Sequence, residues 1–390
     1  MIKLFRNFLT EQEIKSKSAK HITHLAGEEH FNGRQETQAD LARLEHLHKW
    51  MSGEKTNTKS VEIKADGSPS FEMGYVTNPQ SGQKEFGVAY KGASKGFAFT
   101  PEDVQEKFGH SPGLASKMGQ ILEHGSKVVS KIHGVYQGDF MGSKKDGTLK
   151  KEGNEITHKE NLIKYHYPTD SEEGRKLAKA KVSLHLHTRI DKEEPEYDID
   201  KSKFYSSSDV HIFNNTLNRK NLNYNLDDRK EFEKHFNAAH KSLSAIENHD
   251  ELVGGHSEHL HTYINKTVRE GTSPNVQGYT SHLKNRLQKE VDKVKKPETK
   301  LKKATDMQNM VNHISRNKDG FKNLFDAHKS LDSAKGVLLK TLQSSGYNQK
   351  HTIDGKETHA EGFVVANGDG TLSKVVDRSK EGFAGKNLNK

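Results

Sequence analysis

The 390-residue sequence contains no cysteine. Structural disulfides, thiolate zinc sites and cysteine nucleophiles are therefore excluded, and the redox compartment is left open. Apolar residues are also scarce, at 31%, against the ~45–50% usual when glycine is counted. Mean hydropathy is -0.94. The core is therefore modest and the surface very polar. No stretch approaches the ~18 apolar residues of a membrane span. No signal-peptide apolar region is visible, so no membrane partner is expected.

Positive charge is in excess. The net charge is +9 and the pI about 9.2. Such a balance favours polyanion partners such as nucleic acid, although a basic surface without such a partner fits the same numbers. The length accommodates one large domain or two ordinary ones.

Periodicity predicts an α+β fold. Leu41, Leu44, Leu47 and Trp50 recur at helical spacing over 36–51. Strands are expected at 60–64, 71–76, 85–90, 134–140, 181–188, 361–366 and 372–377. Helices are expected at 101–107 and 113–130. Thr100-Pro101-Glu102-Asp103 is a helix start, with proline in the first turn and acids behind it. Between 227 and 345 the pattern turns helical. Leu283, Leu287, Val291 and Val294 form one amphipathic stripe, and Phe321, Leu324, Phe325, Leu331, Leu338 and Leu342 indicate more helix. A break is expected at Lys295-Lys296-Pro297. The resulting division is an N-terminal helical segment over 1–50, a core over 51–211 and 347–390, and a helical insertion over 212–346.

The most informative segment is Val61-Glu62-Ile63-Lys64-Ala65-Asp66-Gly67-Ser68. It places a lysine at the end of a β-type run, followed by x-Asp-Gly. Downstream come Gly134-Val135-Tyr136-Gln137-Gly138-Asp139-Phe140, Lys181 to Thr188, Glu361-Gly362-Phe363-Val364-Val365 and Leu372-Ser373-Lys374-Val375-Val376-Asp377. This order resembles the nucleotidyltransferase motifs of the DNA ligase, RNA ligase and mRNA-capping superfamily. Within it, the chain is most similar to RNA-ligase-like proteins of large tailed phages. The resemblance covers about 60–365 intermittently, plus the last motif.

The resemblance implies a nucleotidyltransferase core of mixed, largely antiparallel sheets and an ATP-dependent enzyme. Lys64 would be the nucleophile, taking AMP from ATP as a phosphoramidate and releasing pyrophosphate. Free lysine titrates near ~10.4, so burial or neighbouring cations would have to expose its neutral amine. Asp66 and Gly67 would form the turn beside the phosphate, where glycine lets backbone approach. Glu62 would read the adenine edge. Asp139, standing where the family usually has glutamate, would hold ribose or metal. Leu186 and His187 would stack on the base. Glu361 would hold Mg2+, a cation that needs only one or two protein carboxylates beside phosphate oxygens. Lys374 would contact the α-phosphate. The family often has a second lysine in that motif, where this chain has Val376; Lys380 would have to substitute. An arginine is also missing after Lys-x-Asp-Gly, where Ser68-Pro69-Ser70 stands, so hydroxyls or Lys91 would contact sugar and phosphates.

Blander readings share these residues. Asp66-Gly67 is a favoured hairpin pair, Glu361 to Val365 reads as a plain core strand, and Asp139 as a loop cap. Only thirteen residues follow Asp377. The superfamily often carries a further OB-fold domain there. Either the helical insertion is expected to take its role, or the protein acts only on an adenylated intermediate.

Three further features bear on partners. Met1 to Glu11 resembles the capsid-targeting leader of phage internal head proteins, with Leu9-Thr10-Glu11 as a cleavage pattern; an ordinary helix start fits it too. Residues 284–303 carry Lys284, Arg286, Lys289, Lys293, Lys295, Lys296, Lys300, Lys302 and Lys303. On one helical face these would track a phosphate backbone, and a solvated helix surface is the alternative. The 24 histidines include a cluster at His256, His259 and His261 and a pair at His21 and His24. Histidine is a common metal ligand, but these spacings match no zinc signature. The leading expectation is a polynucleotide-ligase-like nucleotidyltransferase of the host cytoplasm. The rival is a DNA-binding internal protein of the phage head with the same fold and no ligation. AMP transfer to a protein or small molecule is a third.

Overall fold

The computed structural model describes residues 22–378, apart from 28, 93, 130–133, 193–194, 198 and 345–348. The proposed leader over Met1 to Glu11, together with His21 and Lys380, lies outside the described residues. The fold is mixed α+β, with three sheets that are largely antiparallel.

The first sheet has the order β1 (Thr23–His24), β14 (Leu372–Val376), β13 (Gly362–Ala366), β2 (Ser60–Ile63). Residues far apart in the chain meet in it, for β13 pairs antiparallel with β2 as well as with β14. Alternation sorts its faces. Val61, Ile63, Phe363, Val365 and Val375 are buried against α1 (Arg34–Ser52), α5 (Leu226–Ser244) and α10 (Lys318–Ser344). Leu41, Leu44 and Leu47 supply the α1 side of that core, as their spacing predicts. Two helices of the 212–346 stretch thus share a core with the sheet.

The second sheet runs β10 (Val210–Ile212), β9 (Val182–Arg189), β5 (Val135–Ser143), β3 (Ser70–Thr77), β4 (Lys84–Tyr90). Phe71, Met73, Phe140, Leu184 and Leu186 form its apolar face, under α2 (Pro101–Phe108) and α3 (Pro112–Gly125). Leu186 therefore lies in the core rather than beside His187. Helix α2 starts where the sequence predicts. The Thr100 hydroxyl accepts from the Asp103 amide, and Asp103 accepts from the Thr100 amide in return.

The third sheet has the order β12 (Lys356–Thr358), β11 (Lys350–Ile353), β8 (Lys164–Pro168), β7 (Glu155–His158), β6 (Leu149–Glu152). Its inner face packs Leu149, Ile156, Tyr165 and Tyr167 together, with α4 (Glu172–Lys179) contributing Leu177. His158 stacks between Tyr165 and Tyr167.

The remaining helices are α6 (His249–Val253), α7 (Ser257–Glu270), α8 (Val276–Asp292) and α9 (Pro297–Arg316). They form a second helical core with Phe31 and the first half of α10. The expected break at Pro297 is the start of α9, with proline in its first turn. No helix among the described residues is long and apolar enough to cross a membrane.

Candidate active site

The first and second sheets line a cavity of about 120 Å³, with Val364, Ala366 and Leu372 beside its polar groups. The alternation that buries Val61 and Ile63 turns Ser60, Glu62 and Lys64 into it. From the opposite wall come Asp139 on β5 and His185 and His187 on β9. Four residues named from the sequence, Glu62, Lys64, Asp139 and His187, thus line one space.

Lys64 follows β2 directly, and its amide continues the ladder by donating to the Gly362 carbonyl at 2.9 Å. Its Nζ forms an ion pair with Glu361 Oε2. Burial raises the Glu361 carboxyl above its ordinary pKa, opposed by the charges of Lys64 and, more weakly, Lys374. Lys374 lies in β14 opposite Val364. Asp139 accepts a hydrogen bond from the Ser70 hydroxyl. Its other oxygen stands 3.6 Å from His187 Nε2.

A bulge in β9 directs His187. Gly138 pairs with Leu186 and Gln137 with Thr188, so His187 is the extra residue. It shares a face with its neighbour, and His187 Nδ1 is 2.7 Å from Thr188 Oγ1. Burial lowers the ring to about 4, against the raising effect of Asp139, and Lys91 adds to the lowering. His187 is therefore neutral at pH 7.

Asp66 does not line the cavity. Its carboxylate accepts from the Asn161 side chain at 2.7 Å and from the amides of Leu162 and Ile163 at 2.9 and 3.0 Å. Its own amide donates to the Tyr165 hydroxyl at 2.8 Å. These bonds fix the turn that carries Lys64. Gly67 sits hard against β5, where an added Cβ would lie 2.8 Å from both Asp139 Cβ and Met141 Sδ. Close approach requires glycine there.

Several residues were missed from the sequence. Lys201 Nζ lies 3.0 Å from Glu62 Oε1 and 2.7 Å from Asn215 Oδ1. His185 Nε2 is 3.6 Å from Glu62 Oε2, beyond hydrogen-bond range. Burial raises the Glu62 carboxyl, but His185 and Lys201 more than reverse this and leave it at about 2. Glu72, also on the polar face of β3, is fully buried; burial raises it to about 7 despite a bond from the Gly92 amide. The alternation of His185 and His187 with Leu184 and Leu186 was the available signal for His185. Lys201 and Asn215 lie outside any patterned strand.

The His256 cluster is committed to packing. His256 Nδ1 meets the Tyr279 hydroxyl at 2.8 Å, and Nε2 meets His313 Nδ1 at 3.1 Å. His261 bonds Asn32. Among the described residues no group of three or more His, Asp or Glu side chains is placed to hold a metal ion.

The profile of the family of unknown function DUF6267 matches residues 19–390. The chain belongs to this family. No curated protein and no solved structure matches the chain. The match spans all three sheets and the helical stretch between them, so the cavity around Lys64 falls inside the DUF6267 unit.

Proposed function

We propose that this DUF6267 protein is an ATP-dependent nucleotidyltransferase that forms a lysyl-AMP intermediate on Lys64 and acts on a polynucleotide. The observation that carries the reading is the Lys64–Glu361 ion pair at the edge of a cavity lined by Glu62, Asp139 and His187. An amine, three carboxylates and a neutral flat ring are groups that suit a nucleoside triphosphate.

In this reading Lys64 Nζ attacks the α-phosphorus of ATP. A nitrogen–phosphorus bond forms, the bond from phosphorus to the bridging oxygen breaks, and pyrophosphate leaves. The ammonium must first lose a proton. Glu361 touches it and has a carboxyl made more basic by burial, so Glu361 is the acceptor. The neutral His187 ring stacks on the base or sugar, while Glu62, anchored by Lys201, accepts from the base edge. Lys374, whose charge is felt by Glu361, would contact the phosphates, and Lys91, whose charge is felt by His187, would contact the sugar side. The Asp139 carboxylate, a hard oxygen donor, would hold Mg2+ together with phosphate oxygens, and Glu361 would join it only after passing on the Lys64 proton. Such an ion would neutralise charge on the leaving pyrophosphate.

The test is the mass of the intact protein after incubation with ATP and Mg2+, and separately with GTP. Wild type is expected to gain one AMP, and Lys64→Ala to gain nothing while melting normally. An adduct on the alanine variant, or none on the wild type, refutes the assignment.

A further inference from the structure

The outer face of the third sheet carries a second cavity, of about 340 Å³. That volume lies within the ~300–1,000 Å³ of small-ligand sites. Strand alternation assembles it. While Leu149, Ile156 and Tyr165 turn inward, Lys150 on β6 pairs across to Thr157 on β7, and Lys164 on β8 to Thr352 on β11. Lys159 and Asp354 complete the walls. The turn residues Gly147 and Gly355 flank the mouth, and a Cβ at either would meet nothing within 4 Å.

The lining is short of negative charge. Lys150 and Lys164 share one carboxylate, Glu152, the former at 2.8 Å. Lys159 has no carboxylate partner among the described residues. Three ammonium groups against Glu152 and Asp354 leave an excess of one positive charge. Thr157 is 1% exposed, and its buried hydroxyl has no hydrogen-bond partner among the described residues. A buried polar group left unpaired is uncommon and calls for an explanation. An oxyanion would accept from this hydroxyl and from the lysines together.

One segment joins this cavity to the first. Lys159 and Lys164 face the second cavity, whereas Asn161, Leu162 and Ile163 between them hold the Asp66 carboxylate. Glu160, in the same segment, pairs with Lys117 at 2.5 Å, and Lys117 donates to the Ser68 carbonyl at 3.1 Å. Both ends of the Asp66-Gly67-Ser68 turn are thereby tied to residues 160–163.

We propose that the outer cavity of the third sheet binds a phosphate group and that residues 159–164 transmit its occupancy to the turn beside Lys64. The phosphate comes either from a polynucleotide backbone or from free phosphate. The test measures equilibrium binding to the full chain without ATP, so it stands apart from the adenylation reading. One arm titrates a single-stranded oligonucleotide, the other inorganic phosphate. Lys150→Gln with Lys159→Gln is expected to weaken binding of one or both probes at least tenfold, and the affected probe names the source. The pair Lys150→Arg with Lys159→Arg keeps the charge and is expected to keep the binding. Hydrogen exchange at the Leu162 and Ile163 amides is expected to slow when the wild type is loaded. The phosphate site is overturned if the glutamine pair binds both probes as the wild type does. It is also overturned if neither probe binds the wild type at millimolar concentration, or if the arginine pair loses as much as the glutamine pair. Unchanged exchange at Leu162 and Ile163 in the loaded protein overturns the coupling.

Discussion

Glu361 and Asp139 are both carboxylates of the proposed site, but their surroundings differ. Glu361 touches the Lys64 ammonium itself. Asp139 is occupied on one oxygen by Ser70 and faces His187 with the other. Glu361→Ala is therefore expected to slow lysine adenylation more than Asp139→Ala does. The difference should exceed tenfold, since a positioned proton acceptor contributes about 10²–10⁴ in rate. Initial rates of adduct formation by mass check this, and equal losses would contradict the role given to Glu361. Lys64, Asp139 and Glu361 stood out as residues because their motifs come in a recognisable order; Lys64 follows β2 and Glu361 precedes β13, whereas Asp139, read as a strand end, lies in the middle of β5. Lys201 and Glu72 did not. The Lys201 contact to Glu62 spans 139 positions, and Glu72 reads as an ordinary polar residue in an alternating strand. Only folding shows that it is buried.

Among the elements, the strands at 60–63, 70–77, 84–90, 135–143 and 182–189 and the helices around them were readable, because their inward positions are aliphatic or aromatic. The third sheet was not. Its strands have five residues or fewer, and the inward places include His158 and His351. Histidine there flattens the hydrophobic alternation on which a strand reading rests. Helix α9 falls inside the stretch read as helical and starts at the expected break, but its own stripe is faint, since only Val311 and Ile314 on it are buried. The α8–α9 hairpin also sets the basic cluster in place. Arg286 is tied to Glu258, and Lys303 lies 3.8 Å from Glu290. By contrast, Lys293, Lys295, Lys296 and Lys300 stand exposed around the turn. Reversing those four to glutamate is expected to weaken polynucleotide binding and to flatten its salt dependence by up to ~3 in slope, at about 0.7 per phosphate contact on a single strand. Adenylation should survive. Binding that is unchanged at low salt would remove the hairpin from the polynucleotide path.

For the whole molecule, buried histidine sets the acid response. Burial lowers His158 to about 3 and His187, His256 and His351 to about 4, from 6.5. As the pH falls from about 6.5 towards 4, these rings take up protons in the unfolded chain and not in the folded one. The unfolded chain then binds more protons, so stability falls with acidification, by roughly 1.4 kcal/mol per pH unit for each ring within its window. Asp40 and Glu72, both raised to about 7 mainly by burial, act in the opposite sense over the same range. Four groups against two leave a net loss. The urea midpoint is expected to drop between pH 7 and pH 5, and a flat profile would show that the rings are not buried neutral.

The pairing of β2 with β13 also has a consequence in time. Lys64 and Glu361 are 297 positions apart. At about 5–20 residues per second, a ribosome needs roughly 15–60 s after adding the lysine to add its partner. Once residue 212 has been added, a nascent chain has the nucleophile, the second sheet's strands and Asp139, but neither β13 nor the carboxylate. Every chain that ends before residue 361, whether by premature termination or by cleavage, lacks the same half of the centre. The first sheet closes after the other two, so the proposed chemistry is withheld until β13 and β14 have been made.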